Sequence, residues 1–595
     1  MNIRHIAHAK KPHRATMLTP SAPGAHSDRA LQDERQLNTY AAHCQAVPGR
    51  CILRWMIPLR SSAGRDRRLT AALVGAAFLL LAAAPAGAAT LPRHAGSGVY
   101  YEIFVRSFAD SNGDGVGDLN GITARLDYLK WLGVSGLWLM PIYPSPSYHG
   151  YDVTNYFAVN PQFGTLADFR RLLREAHARG IKVLIDMVLN HTSDRNPWFQ
   201  RALDPKSPYH GWYTWAGKGT NLAALSSLHS PAWHPRDGQY YLGDFSSDMP
   251  DLNYDSPAVR REMIKVGRFW LAQGVDGFRL DATTQIYIDF ASDVNSPRVV
   301  RKNIAWWQQY HDALRASDPD VFLLGEVPAL TEARAAPYYA ALNSVFDFPL
   351  AQVIVAAADS ETSPNLGDFV AKALRSFRKD AREQAVDFPI VDSPFIGNHD
   401  RDRVLDQLHG NMSHMRMAAA MLLTLPGDPF VYYGEEIGMH GRKPDESIRE
   451  PMRWDRSPRQ AGETTWEAAP DNASPDLSVA AERADPRSLL SFYRRLIHWR
   501  RDLPALRDGD IAPYPADGGA ISAYTRTDHS QRLLVIHNLS GISRSVSLPD
   551  ANFGAVVRHT SPGVRLVGRD LTLPPYSTAI LRWRRRNFRQ LPTSH

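Results

Sequence analysis

Short apolar runs and longer periodic segments alternate along the chain from about residue 99 to residue 507. In the periodic segments apolar residues recur every three or four positions, which is typical of helices with one buried face. The apolar runs predict eight strands, at residues 99–105, 136–140, 183–189, 277–280, 321–325, 344–348, 395–398 and 430–433. The periodic segments predict helices, among them residues 166–178, 258–273, 415–425 and 489–501. Eight strands that each precede a helix predict an α/β fold, the (β/α)8 TIM barrel.

Two segments depart from this alternation. Residues 192–253 are irregular, rich in aromatic residues and too long for a simple loop, so we expect a small inserted domain after the third strand. Beyond residue 507 the pattern changes to short alternating strands, which predicts a C-terminal antiparallel β-sandwich over residues 508–595. The barrel would then comprise residues 89–191 and 254–507.

An apolar stretch near the start of the chain predicts export. Residues 71–84 are apolar, with basic residues before them and small residues after them, which is the pattern of a secretory signal peptide over residues 65–88. The small residues after the apolar run predict cleavage after Ala88. A bilayer span needs about 20 residues, more than this run offers, so we expect a periplasmic or secreted protein with no stable membrane anchor. A retained anchor is the alternative. Because signal peptides begin near the true N-terminus, we hypothesise that translation starts at Met56 and that residues 1–55 are not translated.

The net charge of +7 lies mostly at the two ends of the chain. The leader, residues 1–88, holds 12 Lys/Arg and 4 Asp/Glu, and a basic tail contains Arg582, Arg584, Arg585, Arg586 and Arg589. The body between them shows no basic pattern, so we expect no nucleic-acid partner. Both cysteines, Cys44 and Cys51, lie in the leader, so the mature chain would contain no disulfide framework and no cysteine metal site. We expect a monomer.

Charged and imidazole side chains stand at the ends of four predicted strands. They are Asp186 and His191 for the third strand, Arg279 and Asp281 for the fourth, Glu326 for the fifth, and His399 and Asp400 for the seventh. Residues two apart on a strand point to the same side, and the carboxyl ends of barrel strands surround the active site of such folds. Each residue alone is more often a helix cap or a structural group. Together they predict acid/base chemistry on a neutral, polar substrate.

The sequence resembles the α-amylase family of glycoside hydrolases (glycoside hydrolase family 13). The matching blocks are DMVLNH at residues 186–191, GFRLDA at 277–282, GEV at 325–327 and NHD at 398–400, in family order. Residues 98–122, 149–156 and 427–439 extend the likeness. The block MPDLN at 249–253 is similar to that of exported α-amylases in the group intermediate between oligo-1,6-glucosidases and neopullulanases.

This resemblance implies a retaining glycosidase with Asp281 as nucleophile and Glu326 as general acid/base, their carboxyl groups about 5 Å apart. Asp281 and Asp400 would raise the pKa of Glu326, while Arg279 would keep Asp281 ionised. Asp400 would bind hydroxyl groups of the distorted sugar ring. The other substrate-binding residues implied are Arg279, His191, His399, Tyr151, whose ring would face the sugar, and Asp186.

The residue after the implied nucleophile bears on the bond that is cut. Family members that cut α-1,4 bonds tend to carry a small residue there, so Ala282 indicates starch, maltodextrin or maltooligosaccharide substrates. Gln285 stands where many members carry histidine, which leaves chain-length preference and transglycosylation open. An α-glucosidase, a cyclomaltodextrinase or a trehalose-forming isomerase would use the same carboxylates. A non-catalytic binding module is a further alternative, although the three acids are present.

The segment after the first strand has the oxygen spacing of a calcium loop. Side chains or carbonyls with oxygen occupy positions 1, 3, 5, 7 and 9, and Gly115 occupies position 6. The predicted Ca²⁺ ligands are Asp110, Asn112, Asp114, the carbonyl of Val116, and Asp118. Position 12 is Gly121 rather than Glu, so the loop is not an EF-hand, and an ordinary Asp/Gly turn is the alternative. Similar loops in the oligo-1,6-glucosidase branch bind Ca²⁺; Asn190 is a weaker candidate for a second site.

Overall fold

Seven parallel strands form one sheet around an apolar interior in the computed structural model, which describes residues 98–288, 296–457, 460 and 462–584. The strands are Tyr100–Ile103, Gly136–Leu139, Lys182–Met187, Gly277–Leu280, Phe322–Gly325, Ser344–Val345 and Phe430–Tyr432. The first strand pairs in parallel with both the second and the last. The predicted signal peptide and residues Arg585, Arg586 and Arg589 of the basic tail lie outside the described residues.

The seventh barrel position lacks a regular strand. A single parallel bridge joins Ser393 to Phe346 there. On the other side, the Phe430 amide donates to the Pro394 carbonyl at 2.9 Å, which closes the ring onto the last strand. Proline has no backbone N–H to donate, so a continuous ladder cannot pass through this point. The predicted barrel is therefore confirmed, but the predicted strand at 395–398 is wrong, because the pairing falls just before it.

Helices cover the outside of the sheet and begin where their sequences cap them. The helix Leu166–Ala178, for example, starts with a capping box in which Thr165 and Asp168 bond each other's backbone amides. The long helices are Leu119–Leu132, Leu166–Ala178, Pro257–Gln273, Pro297–Arg315, Phe348–Asp359, Leu366–Glu383, Met412–Thr424 and Leu489–Asp502. Shorter ones are Val105–Phe108, Pro197–Ala202, Glu332–Ala335, Val404–Gln407, Asp445–Ile448, Val479–Ala484 and Pro504–Arg507, with 3₁₀ turns at His210–Trp212, Ala336–Ala340 and Glu435–Ile437. In the described part of the chain, none of these helices has the length and hydropathy to cross a bilayer.

Alternate positions along the strands point into the barrel. One layer of the interior is apolar and includes Tyr100, Trp138, Leu184, Leu324 and Phe430. Two residues further along three of these strands the interior position is acidic, at Glu102, Asp186 and Glu326. The barrel interior is therefore apolar, with a layer of acidic side chains at the carboxyl end of the strands.

The predicted inserted segment, residues 192–253, folds around a small aromatic core. It contains the helix Pro197–Ala202, a 3₁₀ turn and the hairpin Trp233–Arg236 with Gln239–Leu242. The ring of Phe199 lies 5.0 Å from that of Tyr213 and 4.9 Å from that of Tyr241. These three aromatic residues of the segment thus pack together, whereas Tyr240 is exposed.

The C-terminal segment forms two antiparallel sheets, as predicted. The strands are Asp510–Pro513, Ile521–Thr527, Arg532–Asn538, Arg544–Ser547, Phe553–His559, Arg565–Val567, Asp570–Leu573 and Ser577–Trp583, which form sheets of five and three strands. Leu534 and Ile536 of the larger sheet share one core with Leu571 and Leu573 of the smaller one. The buried Arg526 donates to the carbonyl of Thr424 at 2.5 Å and so ties this sandwich to a barrel helix.

Candidate active site

The register of three neighbouring strands brings the predicted catalytic residues together. Asp186 on the third strand lies directly opposite Arg279 on the fourth. Leu280 lies opposite Gly325 on the fifth strand, so the next residues, Asp281 and Glu326, leave adjacent strands side by side. Neighbouring strands are about 4.8 Å apart. Two carboxyl groups from distant parts of the chain therefore meet at one edge of the barrel.

One buried guanidinium joins three of these acids. Arg279 Nη1 lies 2.5 Å from Asp281 Oδ1 and 3.1 Å from Asp186 Oδ1, and Nη2 lies 2.9 Å from Glu326 Oε2. Its charge sits 5.0 Å above the ring of Trp138. Because Arg279 is bound on all these sides, it holds the carboxyl groups in one arrangement and balances part of their charge.

The residue after Asp281 has an uncommon backbone conformation. Ala282 has a φ of 47°, in the left-handed region that residues with a Cβ rarely adopt, at a cost of roughly 1–2 kcal/mol. In this conformation the Ala282 amide donates to Glu326 Oε2 at 3.0 Å. The same oxygen also receives the Arg279 guanidinium, so Oε2 has two N–H partners.

A second group of polar residues adjoins the first. His399 Nδ1 lies 2.6 Å from Glu102 Oε1, and His399 Nε2 lies 2.7 Å from the hydroxyl of Tyr151. That hydroxyl donates to Asp186 Oδ2 at 3.2 Å, which connects the two groups. The Tyr151 ring is nearly parallel to the His399 ring, with centroids 5.7 Å apart. His191 joins through Nε2, 3.2 Å from the Tyr151 carbonyl, so all predicted substrate-binding residues lie in one network.

Asp400 is the most exposed of the three predicted catalytic acids. Its side chain is 44% accessible, against 12% for Asp281 and 18% for Glu326. Arg449 Nη2 contacts Asp400 Oδ1 at 3.2 Å, and the Arg449 Nε donates to the His399 carbonyl at 3.0 Å. Asp400 Oδ2 lies 3.2 Å from His399 Nε2, so both carboxyl oxygens have a partner while the side chain stays accessible to a ligand.

Burial is the main cause of the pKa shifts in the site. It raises the pKa of Glu326 to about 7; Arg279 opposes this rise, and Asp281 and Asp400 add to it. Burial likewise raises the pKa of Asp281, against the effect of Arg279, and raises that of Asp186 to about 8. The neighbouring acids that the sequence suggested as the cause of the Glu326 shift are thus secondary to desolvation. Burial also lowers the pKa of His191 to about 4, so this imidazole is neutral.

The comparisons with known proteins agree with this geometry. Residues 102–509 match the model of the alpha amylase catalytic domain, and residues 521–580 match that of the alpha-amylase SusG C-terminal domain. The chain belongs to the alpha-amylase family. Among its relatives, Alpha-amylase 3 of Dictyoglomus thermophilum is 40% identical, with 81% of this chain and 93% of the relative covered.

Two further proteins are similar to this chain. The Oligo-1,6-glucosidase of Parageobacillus thermoglucosidasius is 32% identical, with 76% of this chain and 91% of that protein covered. The crystal structure of an alpha-amylase from H. orenii is 40% identical and superposes with a TM-score of 0.75, over 82% of this chain and 100% of that one. The predicted membership of this family is therefore confirmed, as is the scaffold.

Three residues of the site were not found from the sequence. Glu102 supports His399, Trp138 lies under Arg279 and donates from Nε1 to Asp186 Oδ2 at 3.3 Å, and Arg449 anchors Asp400. The signal for Glu102 was present, because an acid in the middle of a buried strand needs a partner. Arg449 directly follows the short helix Asp445–Ile448, beyond the last strand of the barrel, where no sequence pattern marks it.

The predicted calcium loop is curled around its first acid. Asp110 accepts hydrogen bonds from the backbone amides of Asn112 and Gly113 through Oδ1 and of Gly115 through Oδ2, at 2.7–2.9 Å. Gly115 has a φ of 90°, which suits glycine and turns its amide toward Asp110. Asp118 caps the helix Leu119–Leu132. The oxygen donors have the chemistry that Ca²⁺ prefers. The carboxyl groups of Asp110 and Asp118 already accept hydrogen bonds within the loop.

No three acidic or imidazole groups are already gathered at metal-binding distance among the residues that the structure describes. Calcium at this loop stays a prediction. The same holds for Asn190, whose side-chain amide donates to Asp251 Oδ1 at 3.3 Å.

Proposed function

We propose that this member of the alpha-amylase family is a retaining α-glucan hydrolase that cleaves α-1,4-glucosidic bonds of starch or maltooligosaccharides. The observation that carries the proposal is that Asp281 and Glu326 leave adjacent strands at the same end of the barrel and bind the same guanidinium. A retaining glycosidase needs a nucleophile and an acid/base about 5 Å apart, without room for a water between them.

In the first step the proton of Glu326 passes to the glycosidic oxygen while Asp281 attacks the anomeric carbon. The bond to the leaving sugar breaks, and a covalent ester with Asp281 forms. In the second step Glu326 takes a proton from water, whose oxygen attacks the same carbon and releases Asp281. Asp400, accessible and anchored by Arg449, binds sugar hydroxyl groups as the ring flattens.

The decisive experiment is an NMR time course on maltotetraose, which we expect to show the α anomer as the first product. Asp281→Asn is expected to lower kcat by about 10³-fold or more, since the nucleophile is lost while the fold remains. Glu383→Gln, on an exposed part of the helix Leu366–Glu383, is the matched control and keeps activity. First release of the β anomer, or a fully active Asp281→Asn protein, contradicts the proposal.

The bond type is supported by the small side chain of Ala282 and by relatives named alpha-amylase at 40% identity. A relative of 32% identity is named oligo-1,6-glucosidase, so the same scaffold also carries another activity. Thin-layer analysis of products from soluble starch, maltose, isomaltose, trehalose and cyclodextrin separates these cases. We expect maltooligosaccharides from starch and little reaction with isomaltose or trehalose.

We further propose that Asp110, Asn112, Asp114, the Val116 carbonyl and Asp118 hold a structural Ca²⁺ ion. Bound there, the ion would supply charge to stabilise the loop, without taking part in the reaction. We also propose export, supported by the signal-like residues 65–88. N-terminal sequencing of the mature protein tests it: a start at residue 89 is expected, and a mature chain that begins before residue 71 contradicts it.

A further inference from the structure

The backbone around Ala282 links the nucleophile directly to the acid. Ala282 follows Asp281, and its amide donates to Glu326 Oε2 at 3.0 Å. The backbone of Ala282 is left-handed where it makes this contact, with a φ of 47°. Strained backbone that persists in a folded protein is concentrated at functional sites, where the surroundings hold it in place.

The two oxygens of Glu326 are not equivalent in this arrangement. Oε2 receives the Ala282 amide at 3.0 Å and Arg279 Nη2 at 2.9 Å, and both are donors. A proton on Oε2 would face these two N–H groups, whereas a proton on Oε1 would not. On this geometry a protonated Glu326 is expected to carry its proton on Oε1.

We propose that the Ala282 backbone N–H is a positioning group for catalysis, which directs the proton of Glu326 to Oε1 and holds that oxygen toward the glycosidic bond. The inference rests on the proposed function, in which Glu326 delivers the proton. It gives the residue after the nucleophile a role through its main chain, in addition to the effect of its side-chain size on the bond that is cut.

The consequence for substitutions depends on what the backbone tolerates. Glycine adopts the left-handed conformation readily and keeps the N–H. A β-branched residue such as valine disfavours this conformation and draws the amide away from Glu326. The glycine variant therefore keeps the N–H contact without the alanine side chain, and the valine variant weakens the contact.

The cleanest test replaces only the N–H. Nonsense suppression with lactic acid at position 282 puts an ester oxygen in place of the amide, while the side chain stays that of alanine. Hydrogen bonding to a carboxylate favours its charged form, so loss of the donor raises the pKa of Glu326. We expect the basic limb of kcat/KM to move up by at least half a pH unit, with kcat reduced about tenfold and KM little changed. Protein made by the same suppression with alanine is the control.

Ala282→Gly and Ala282→Val complete the test and keep it decisive if the ester protein fails to fold. The Gly variant is expected to keep the basic limb of the wild type, although its kcat falls somewhat as the loop loosens. The Val variant is expected to move the limb up as the ester does. An unchanged limb in the ester protein, or identical limbs in Gly and Val, overturns the inference. An active Asp281→Asn protein would instead overturn the proposed function, so the two failures are distinct.

Discussion

Glu102 and His399 are separated by 297 positions in the chain, yet Glu102 Oε1 lies 2.6 Å from His399 Nδ1. Both side chains are almost fully buried. Burial raises the pKa of Glu102 and lowers that of His399, so it disfavours the charged form of both groups. The contact orients the imidazole so that Nε2 faces Tyr151 and Asp400.

Glu102→Ala should reduce kcat by about 10- to 100-fold, because His399 loses the partner that holds its ring. It should also lower the free energy of unfolding by about 1–3 kcal/mol, since a buried polar group is left unpaired. Glu102→Gln retains a hydrogen-bond partner and is expected to lose less of both. Steady-state kinetics and urea unfolding measure the two effects; equal kcat in Glu102→Ala and wild type would refute the role.

The pH profile of kcat/KM should be bell-shaped, with a basic limb near pH 7. The general acid must be protonated, and the pKa of Glu326, raised to about 7, sets where that form is lost as pH rises. The acidic limb should lie above the ordinary pKa of aspartate, because burial raises the pKa of Asp281, which must be ionised. Initial rates from pH 3 to 10 test this. A basic limb near pH 4.5 would show that Glu326 is not perturbed.

Removal of calcium should lower the melting temperature by several degrees. An ion present at 100 times its Kd stabilises the folded state by about 2.7 kcal/mol. In Asp114→Asn, an exposed member of the loop, a chelator should have a smaller effect, whereas Glu383→Gln should respond like the wild type. Calorimetry with and without chelator, together with metal analysis, decides; no metal and no shift would exclude the site.

Arg526→Ala should destabilise the protein by about 1.5–3 kcal/mol without changing the chemistry of the site. Arg526 donates to the carbonyls of Thr424 and Gly509, and the substitution leaves both without this charged partner. The melting temperature should fall while kcat at 25 °C stays at the wild-type level. Arg544→Ala, in the smaller sheet, is the control with little expected effect.

The sequence was informative where a pattern repeats. The pattern of apolar residues predicted the bounds of the strand Gly277–Leu280 and of the helix Leu166–Ala178 correctly. It also located Asp281 and Glu326 at strand ends, because the carboxyl end of a parallel strand is where such residues collect. The seventh strand was misplaced because Phe395 and Ile396 are buried apolar residues, as in a true strand, while the actual pairing runs through Pro394.

Features set by tertiary contact could not be predicted. Arg449 reaches Asp400 from the end of a one-turn helix, and no periodic pattern marks its position. The positive φ of Ala282 has no sequence signal, since alanine is not a residue from which that conformation is expected. The size of the Glu326 shift depends on burial, which charges read along a sequence do not reveal.

The shared guanidinium of Arg279 has a consequence for redesign. Because Asp186, Asp281 and Glu326 all bind it, a change of charge at any one of them alters the field at the other two. A single substitution intended to shift the pH optimum will therefore change the pKa of the nucleophile and that of the acid together. To shift the pKa of one acid alone, Arg279 and the three acids would have to be redesigned together. These four residues are therefore the smallest group in which the pH dependence of the enzyme can be changed.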